Sequence, residues 1–249
     1  MDHQPVLQMQ DIVKRFPGVC ALDHVNFELR AGEVHVILGE NGAGKSTLIK
    51  ILGGVYQKDG GRILLDGLDV DLRSPQHASR AGIRVIHQEL NVLPELTVAE
   101  NILLGVLPRG ALPGTVDWRA AYAGAQKVLD RLGVAIDPRA TMAKLTVAEK
   151  QLVEIAQASA VAARVVVMDE ATAALNDNEA QVLYDLIASL KTQGTAIIFI
   201  SHRIQEVMQL ADRITVLRDG RNVGVLNRSE ATPADLVYLM VGRELSQMF

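Results

Sequence analysis

The chain has 249 residues, a formal net charge of −4, and an apolar half built from aliphatic rather than aromatic side chains. That length supports a large α/β core, or a core with a small subdomain. Acidity without a basic stripe argues against nucleic acid as a main partner, and the single cysteine, Cys20, excludes an intrachain disulfide. No apolar run approaches the ~20 residues that a bilayer-spanning helix needs. The opening Met1-Asp2-His3-Gln4-Pro5 does not read as a signal peptide. The expectation is a soluble, cytoplasmic chain that meets a membrane only through a partner.

In chain order, Val6 to Lys14 and Ala21 to Leu29 alternate apolar and polar residues, as half-exposed antiparallel strands do. Val34 to Leu38 reads as a buried strand, followed by a glycine loop and a helix-like stretch from Thr47 to Leu52. Arg62 to Leu65 is a further strand. Ser74-Pro75 opens a short helix, with serine as N-cap. Gly82 to Ile86 is another core strand. From Glu89 to Val161 the character becomes helical. Thr97-Val98-Ala99-Glu100 and Thr146-Val147-Ala148-Glu149 fit the capping box, Asp117 to Leu132 has helical period, and 107–115 is a loop. The last third alternates: strand at 164–168, helix at 178–190, strand at 195–200, helix at 204–210, strand at 214–217. A two-residue hairpin turn follows at Asp219-Gly220, and a final helix is capped by Thr232-Pro233. This predicts one domain over 1–249, with 1–88 and 162–249 as the core and its antiparallel β subdomain, and 89–161 as an inserted helical subdomain.

The most specific signal is Gly39-Glu40-Asn41-Gly42-Ala43-Gly44-Lys45-Ser46-Thr47. It fits the triphosphate-loop pattern G-x-x-x-x-G-K-[S/T] and lies between a predicted strand and a predicted helix. There, successive backbone N–H groups and the positive end of a helix dipole converge on one spot, which suits a polyphosphate. Lys45 would reach the β- and γ-phosphates of a nucleoside triphosphate, and the Ser46 hydroxyl would ligate Mg²⁺.

Downstream, Val165-Val166-Val167-Met168-Asp169-Glu170 is an apolar strand that ends in two acids. The carboxyl edge of a parallel sheet is where its ligands bind. Asp169 would serve the Mg²⁺ shell, and Glu170 would orient or deprotonate an attacking water. The bland alternative is two acids that close a strand and cap a helix. His202 follows the strand 196–200 and could contact a γ-phosphate or be structural. Gln88 follows Ile86 and could offer an oxygen to Mg²⁺ or be a polar loop residue. Phe16 could stack on adenine or simply pack. Cys20, Trp118 and the methionines read as packing residues.

These residues, in this order, resemble the ATP-binding subunit of ABC transporters over nearly the whole chain. The resemblance implies an ABC-type P-loop NTPase fold with a mixed central sheet, an antiparallel β subdomain and a helical subdomain. It implies Phe16 in the adenine-stacking loop, Gln88 in the loop that faces membrane subunits, Glu170 as catalytic carboxylate and His202 as switch histidine. Within the family the chain is most similar to the first ATPase half of monosaccharide importers, on the phosphate loop, His87-Gln88-Glu89-Leu90-Asn91 and Met240-Val241-Gly242-Arg243-Glu244-Leu245. Partners so implied are a second ABC ATPase domain (as a homodimer or tandem half), permease subunits and, indirectly, an extracytoplasmic solute-binding protein. The implied place is the cytoplasmic face of the membrane.

The chain departs from the family's pattern at three places. The signature loop L-S-G-G-Q is Leu145-Thr146-Val147-Ala148-Glu149 here, so Thr146 keeps a hydroxyl, Ala148 replaces a glycine and Glu149 brings a negative charge. Ala171 replaces a proline, and Asn176 an aspartate. Two other readings stand beside solute import. One is a regulatory nucleotide-binding half with little or no turnover. The other is a soluble ABC ATPase acting on DNA or ribosomes, which the short Gln88–Leu145 interval and the net acidity oppose.

Overall fold

The computed structural model describes residues 4–87, 91–161, 163–173 and 175–242. They form two compact units. Of the described residues, the first comprises 4–85, 164–170 and 193–242; the second, 86–87, 91–161, 163, 171–173 and 175–192.

The first unit is built on two sheets. Strands β1 (Leu7–Phe16) and β2 (Val19–Leu29) are antiparallel, as their alternation predicts. With β4 (Gly60–Leu65) and β5 (Leu68–Asp69) they make a sheet in the order β2-β1-β4-β5. The second sheet has the order β10-β9-β3-β8-β7-β6. Its strands are β3 (Val34–Leu38), β6 (Ile83–Ile86), β7 (Val165–Asp169), β8 (Ala196–Ser201), β9 (Arg213–Arg218) and β10 (Arg221–Asn227). Strand β3 runs parallel to β8 and β9, and β7 runs parallel to β8, while β10 turns back antiparallel on β9. Every residue of β3 and β8 is buried. Central parallel strands are covered on both faces, so they read as unbroken apolar runs.

Helix α1 (Lys45–Leu52) buries Leu48, Ile49, Ile51 and Leu52 in a core shared with both sheets. It begins two residues before the expected start, because the loop itself turns into the helix. Helix α2 (Pro75–Arg80) is capped by Ser74, whose Oγ accepts from the His77 N–H. Helices α7 (Ile204–Leu210) and α8 (Pro233–Val241) complete the unit, the latter through a Thr232–Asp235 capping box. The hairpin at Asp219 and Gly220 has positive φ at both residues, 51° and 73°, which is the twist a two-residue turn needs.

The second unit is helical: α3 (Val98–Ile102), α4 (Trp118–Leu132), α5 (Val147–Ala160) and α6 (Asp177–Thr192), with a 3-10 turn at Met142–Lys144. Both expected capping boxes are present, at Thr97/Glu100 and Thr146/Glu149. Asp117 caps α4 and Gly133 closes it. Helix α6, assigned to the core from sequence, belongs to this unit, where it packs on α4 and α5. Its buried side chains Leu183, Leu186, Ile187 and Leu190 form one apolar stripe, and a stripe does not name its partner.

Two residues read as packing differ from that expectation. Cys20 is exposed, and Trp118 keeps 43% of its surface in solvent.

Candidate functional site

Strand register puts the chemistry on one edge. Leu38 pairs with Ser201, and Asp169 with Ile200. The residues just beyond these strand ends, Gly39, Glu170 and His202, therefore leave the sheet together at its carboxyl edge, where open α/β sheets bind ligands.

The loop after β3 wraps tightly. A Cβ on Gly39 would come within 2.4 Å of the Leu217 carbonyl oxygen, so only glycine fits against β9 there. Gly44 has φ 104°, and a Cβ on it would meet the Ala21 carbonyl at 2.7 Å. It is the N-cap of α1 and brings no side-chain cap, so the first N–H groups of that helix are left for a ligand. Lys45 is 6% exposed, and its Nζ donates to the carbonyls of Gly39 (2.6 Å) and Glu40 (3.0 Å). Burial holds its pKa below the usual lysine value, while Glu170, Asp169 and Glu40 pull the other way. Exchange of these neutral carbonyl partners for phosphate oxygens would give the ammonium stronger, charge-assisted bonds.

Beside this loop lies a cleft of about 420 Å³, lined by Val19, Cys20, Ala21, Asn41, Gly42, Gly44, Lys45, Ser46, Thr47, Glu170, Asp219 and Gly220. Glu170 sits at φ 50°, a left-handed conformation that is uncommon for glutamate. Its N–H donates to the Ile200 carbonyl, and its Oε1 lies 3.0 Å from His202 Nδ1. A carboxylate oxygen accepts, so this contact is a hydrogen bond in the tautomer that places the ring proton on Nδ1. Asp169 closes β7, half-buried.

The donor set suits Mg²⁺ carried by phosphates. Ser46 and Asp169 offer two oxygens, and no cluster of three or more His, Cys, Asp or Glu able to cage a metal occurs among the described residues. Mg²⁺ commonly takes one or two protein oxygens and completes its shell with water and phosphate.

Other expected site residues fall elsewhere. Phe16 is absent from the cleft lining; its ring meets Tyr56 edge-on at 5.4 Å, with Lys14 Nζ 5.4 Å above it. Val19, Cys20 and Ala21 line that wall instead, and sequence reasoning missed them. It also missed the lining role of Asp219 and Gly220; the turn was legible, but not that β9 delivers it to the cleft. Gln88 lies outside the described residues. In the second unit, Thr146 caps α5 and Ala148, the second residue of that helix, is buried in its first turn. The Glu149 carboxylate accepts the Thr146 N–H at 2.8 Å, so it is turned back into the cap.

Comparison with known proteins agrees with this geometry. A family model described as "ABC transporter" matches residues 22–173. Ribose import ATP-binding protein RbsA 1 of Rubrobacter xylanophilus is 53% identical over 246 residues, covering 99% of this chain and 49% of that protein. Ribose import ATP-binding protein RbsA of Geobacillus kaustophilus is 46% identical over 98% of this chain and 49% of its own length. The chain thus spans about half the length of the curated relatives it matches. Among solved structures, the ADP conformation of MJ1267, an ATP-binding cassette of an ABC transporter, superposes with TM-score 0.81 at 27% identity, covering 96% of this chain and 99% of that one. With that match spanning β2 to β7 and the phosphate loop at its centre, the chain belongs to the ABC transporter family.

Proposed function

We propose that the chain binds and hydrolyses ATP with Mg²⁺ to power import of a small solute, a monosaccharide, through a membrane permease. The observation that carries this reading is the meeting of Lys45, Ser46 and Glu170 on one cleft whose wall is a helix N-terminus. The relatives' names as ribose import ATP-binding proteins support the solute class.

In this reading Lys45 exchanges its carbonyl partners for phosphate oxygens. Ser46, Asp169 and Gln88 would hold Mg²⁺, which would supply positive charge beside the transferred phosphoryl group. Glu170 orients and accepts a proton from the attacking water. His202 fixes that carboxylate through the 3.0 Å contact at Nδ1, and its ring serves the γ-phosphate. Thr146 and the start of α5 offer a hydroxyl and helix N–H groups to ATP held by a second ATPase domain, a second copy or a tandem half. Permease subunits are the membrane partners, on the cytoplasmic face, with a solute-binding protein acting upstream.

Glu170→Gln tests this. It keeps the shape and removes the base, so ATP binding should persist, turnover should fall by about a hundredfold or more, and an ATP-bound dimer should accumulate in size-exclusion chromatography. A variant that hydrolyses at the parent rate would remove Glu170 from the mechanism. One that stays monomeric with ATP would remove the closed two-site arrangement.

A further inference from the structure

His202 stands between two residues that are tied to each other and to one buried carboxylate. Ser201, buried at the end of β8, accepts the Arg203 N–H on its Oγ at 2.9 Å. The same hydroxyl donates to Glu206 Oε2 at 2.5 Å. The other carboxylate oxygen, Oε1, accepts from the Arg203 guanidinium at 3.2 Å. Glu206 is itself only 5% exposed, in the first turn of α7. The peptide units of His202 are thus spanned by a ring of bonds, and Glu206 fastens both flanking residues.

Helix stability alone does not ask for this. A first-turn acid gains from the helix dipole while it stays in water, whereas a buried carboxylate forfeits hydration and must recover it from specific partners. Here those partners lie back across His202, at the strand end and at Arg203, rather than along α7. His202 itself is half-exposed, so packing does little to set its direction. Its 3.0 Å contact with Glu170 depends on where its backbone is held.

We propose that Glu206 is a positioning residue: through Ser201 Oγ it fixes the backbone that carries His202, and so holds the imidazole Nδ1 against the Glu170 carboxylate. This rests on the ATPase reading of Glu170 and His202. Without the clamp the ring swings away from Glu170, and the carboxylate loses the contact that aims it at the attacking water. Misalignment of that kind costs rate more than ATP affinity, because the phosphate loop that binds the nucleotide is untouched.

The test uses the full chain with three variants. Glu206→Ala removes the acceptor, Glu206→Gln keeps an oxygen for the Ser201 hydroxyl, and Ser201→Ala breaks the same bond from its other end. Both alanine variants should lower kcat by about tenfold and leave KM for ATP within about twofold, while Glu206→Gln should stay within about threefold of the parent kcat. Alanine variants with the parent kcat, or a glutamine variant as slow as alanine, overturn the proposal. Because the effect passes through His202, adding Glu206→Ala to His202→Ala should lower kcat by less than about twofold further. A second loss of about tenfold would give Glu206 a separate role and overturn the link. Another arm needs no turnover. Nitrogen-15 spectra of the imidazoles at about pH 8.5, above the ordinary histidine range, show which ring nitrogen carries the proton. The His202 signal is the one missing from His202→Ala. In the parent it should show the Nδ1-protonated tautomer, and in Glu206→Ala and Ser201→Ala it should move towards the Nε2-protonated form. A parent without the Nδ1 tautomer, or alanine variants that keep it, overturns the proposal. A parent that shows these tautomer shifts yet never hydrolyses ATP would instead count against the ATPase reading and leave the link between Glu206 and His202 in place.

Discussion

At the scale of single residues, the cleft separates what a motif announces from what only packing decides. Lys45, Ser46 and Glu170 are legible because their chemistry needs those residue types at that spacing. Cys20 carries no such requirement, and a lone cysteine reads as a small apolar residue until the structure puts it beside the phosphate loop, exposed, with Sγ 3.3 Å from the Leu22 carbonyl. That placement makes it a reporter. If nucleotide fills the cleft against the 19–21 wall, Mg-ATP should slow maleimide labelling of Cys20 by about tenfold, the shift expected when ligand exceeds its dissociation constant by that factor. Mass spectrometry of the single thiol reads the rate. Unchanged labelling at saturating Mg-ATP would move the base away from this wall and return Phe16 to consideration as its platform.

Elements were legible where periodicity and caps agree, which held for α2, α4, α5 and α8 and for the strands around the phosphate loop. What eluded the sequence was membership. Helix α6 has the same kind of apolar stripe whichever unit it covers. Its start also gives Asn176, which stands where the family has aspartate, a local role as cap. The Asn176 Oδ1 accepts the Glu179 N–H at 3.0 Å, and the Glu179 carboxylate accepts the Asn176 N–H at 3.0 Å. Asparagine caps a helix about as well as aspartate, and Asp177 and Glu179 already supply first-turn negative charge. Asn176→Asp should therefore change urea-unfolding stability by less than about 0.5 kcal/mol, while Asn176→Ala should cost about 1 kcal/mol. Equal losses in both variants would show that this residue is held by something other than the cap.

At the scale of the whole molecule, each unit carries a buried titratable group whose pKa burial shifts strongly, and the two respond to pH in opposite senses. In the first unit His35 bridges the Glu28 carbonyl and Thr215 Oγ1, both at 2.8 Å. Burial, then the neighbouring Arg213 and Arg30 charges, lower its pKa to about 3. The unfolded chain thus binds the proton first as pH falls below about 6.5, and the stability of this unit drains away towards pH 3. In the second unit Glu154, raised to about 7, does the reverse. Its folded form holds the proton longer, so stability is greatest below about 4.5 and is lost as pH rises to 7, with no further loss above it. Between pH 8 and pH 5 the first unit should lose about 2 kcal/mol and the second should gain about 2–3 kcal/mol. Trp118, the single tryptophan, sits on α4 and reports the second unit by fluorescence, while circular dichroism follows both. Acidification to pH 5 should move the Trp118 transition upward and split it from the remaining melt, which moves down. Glu154→Gln should abolish the first shift and His35→Gln the second, each leaving the other in place. Transitions that move together, in the same direction, would mean that the units unfold as one cooperative body and that neither buried group governs its own.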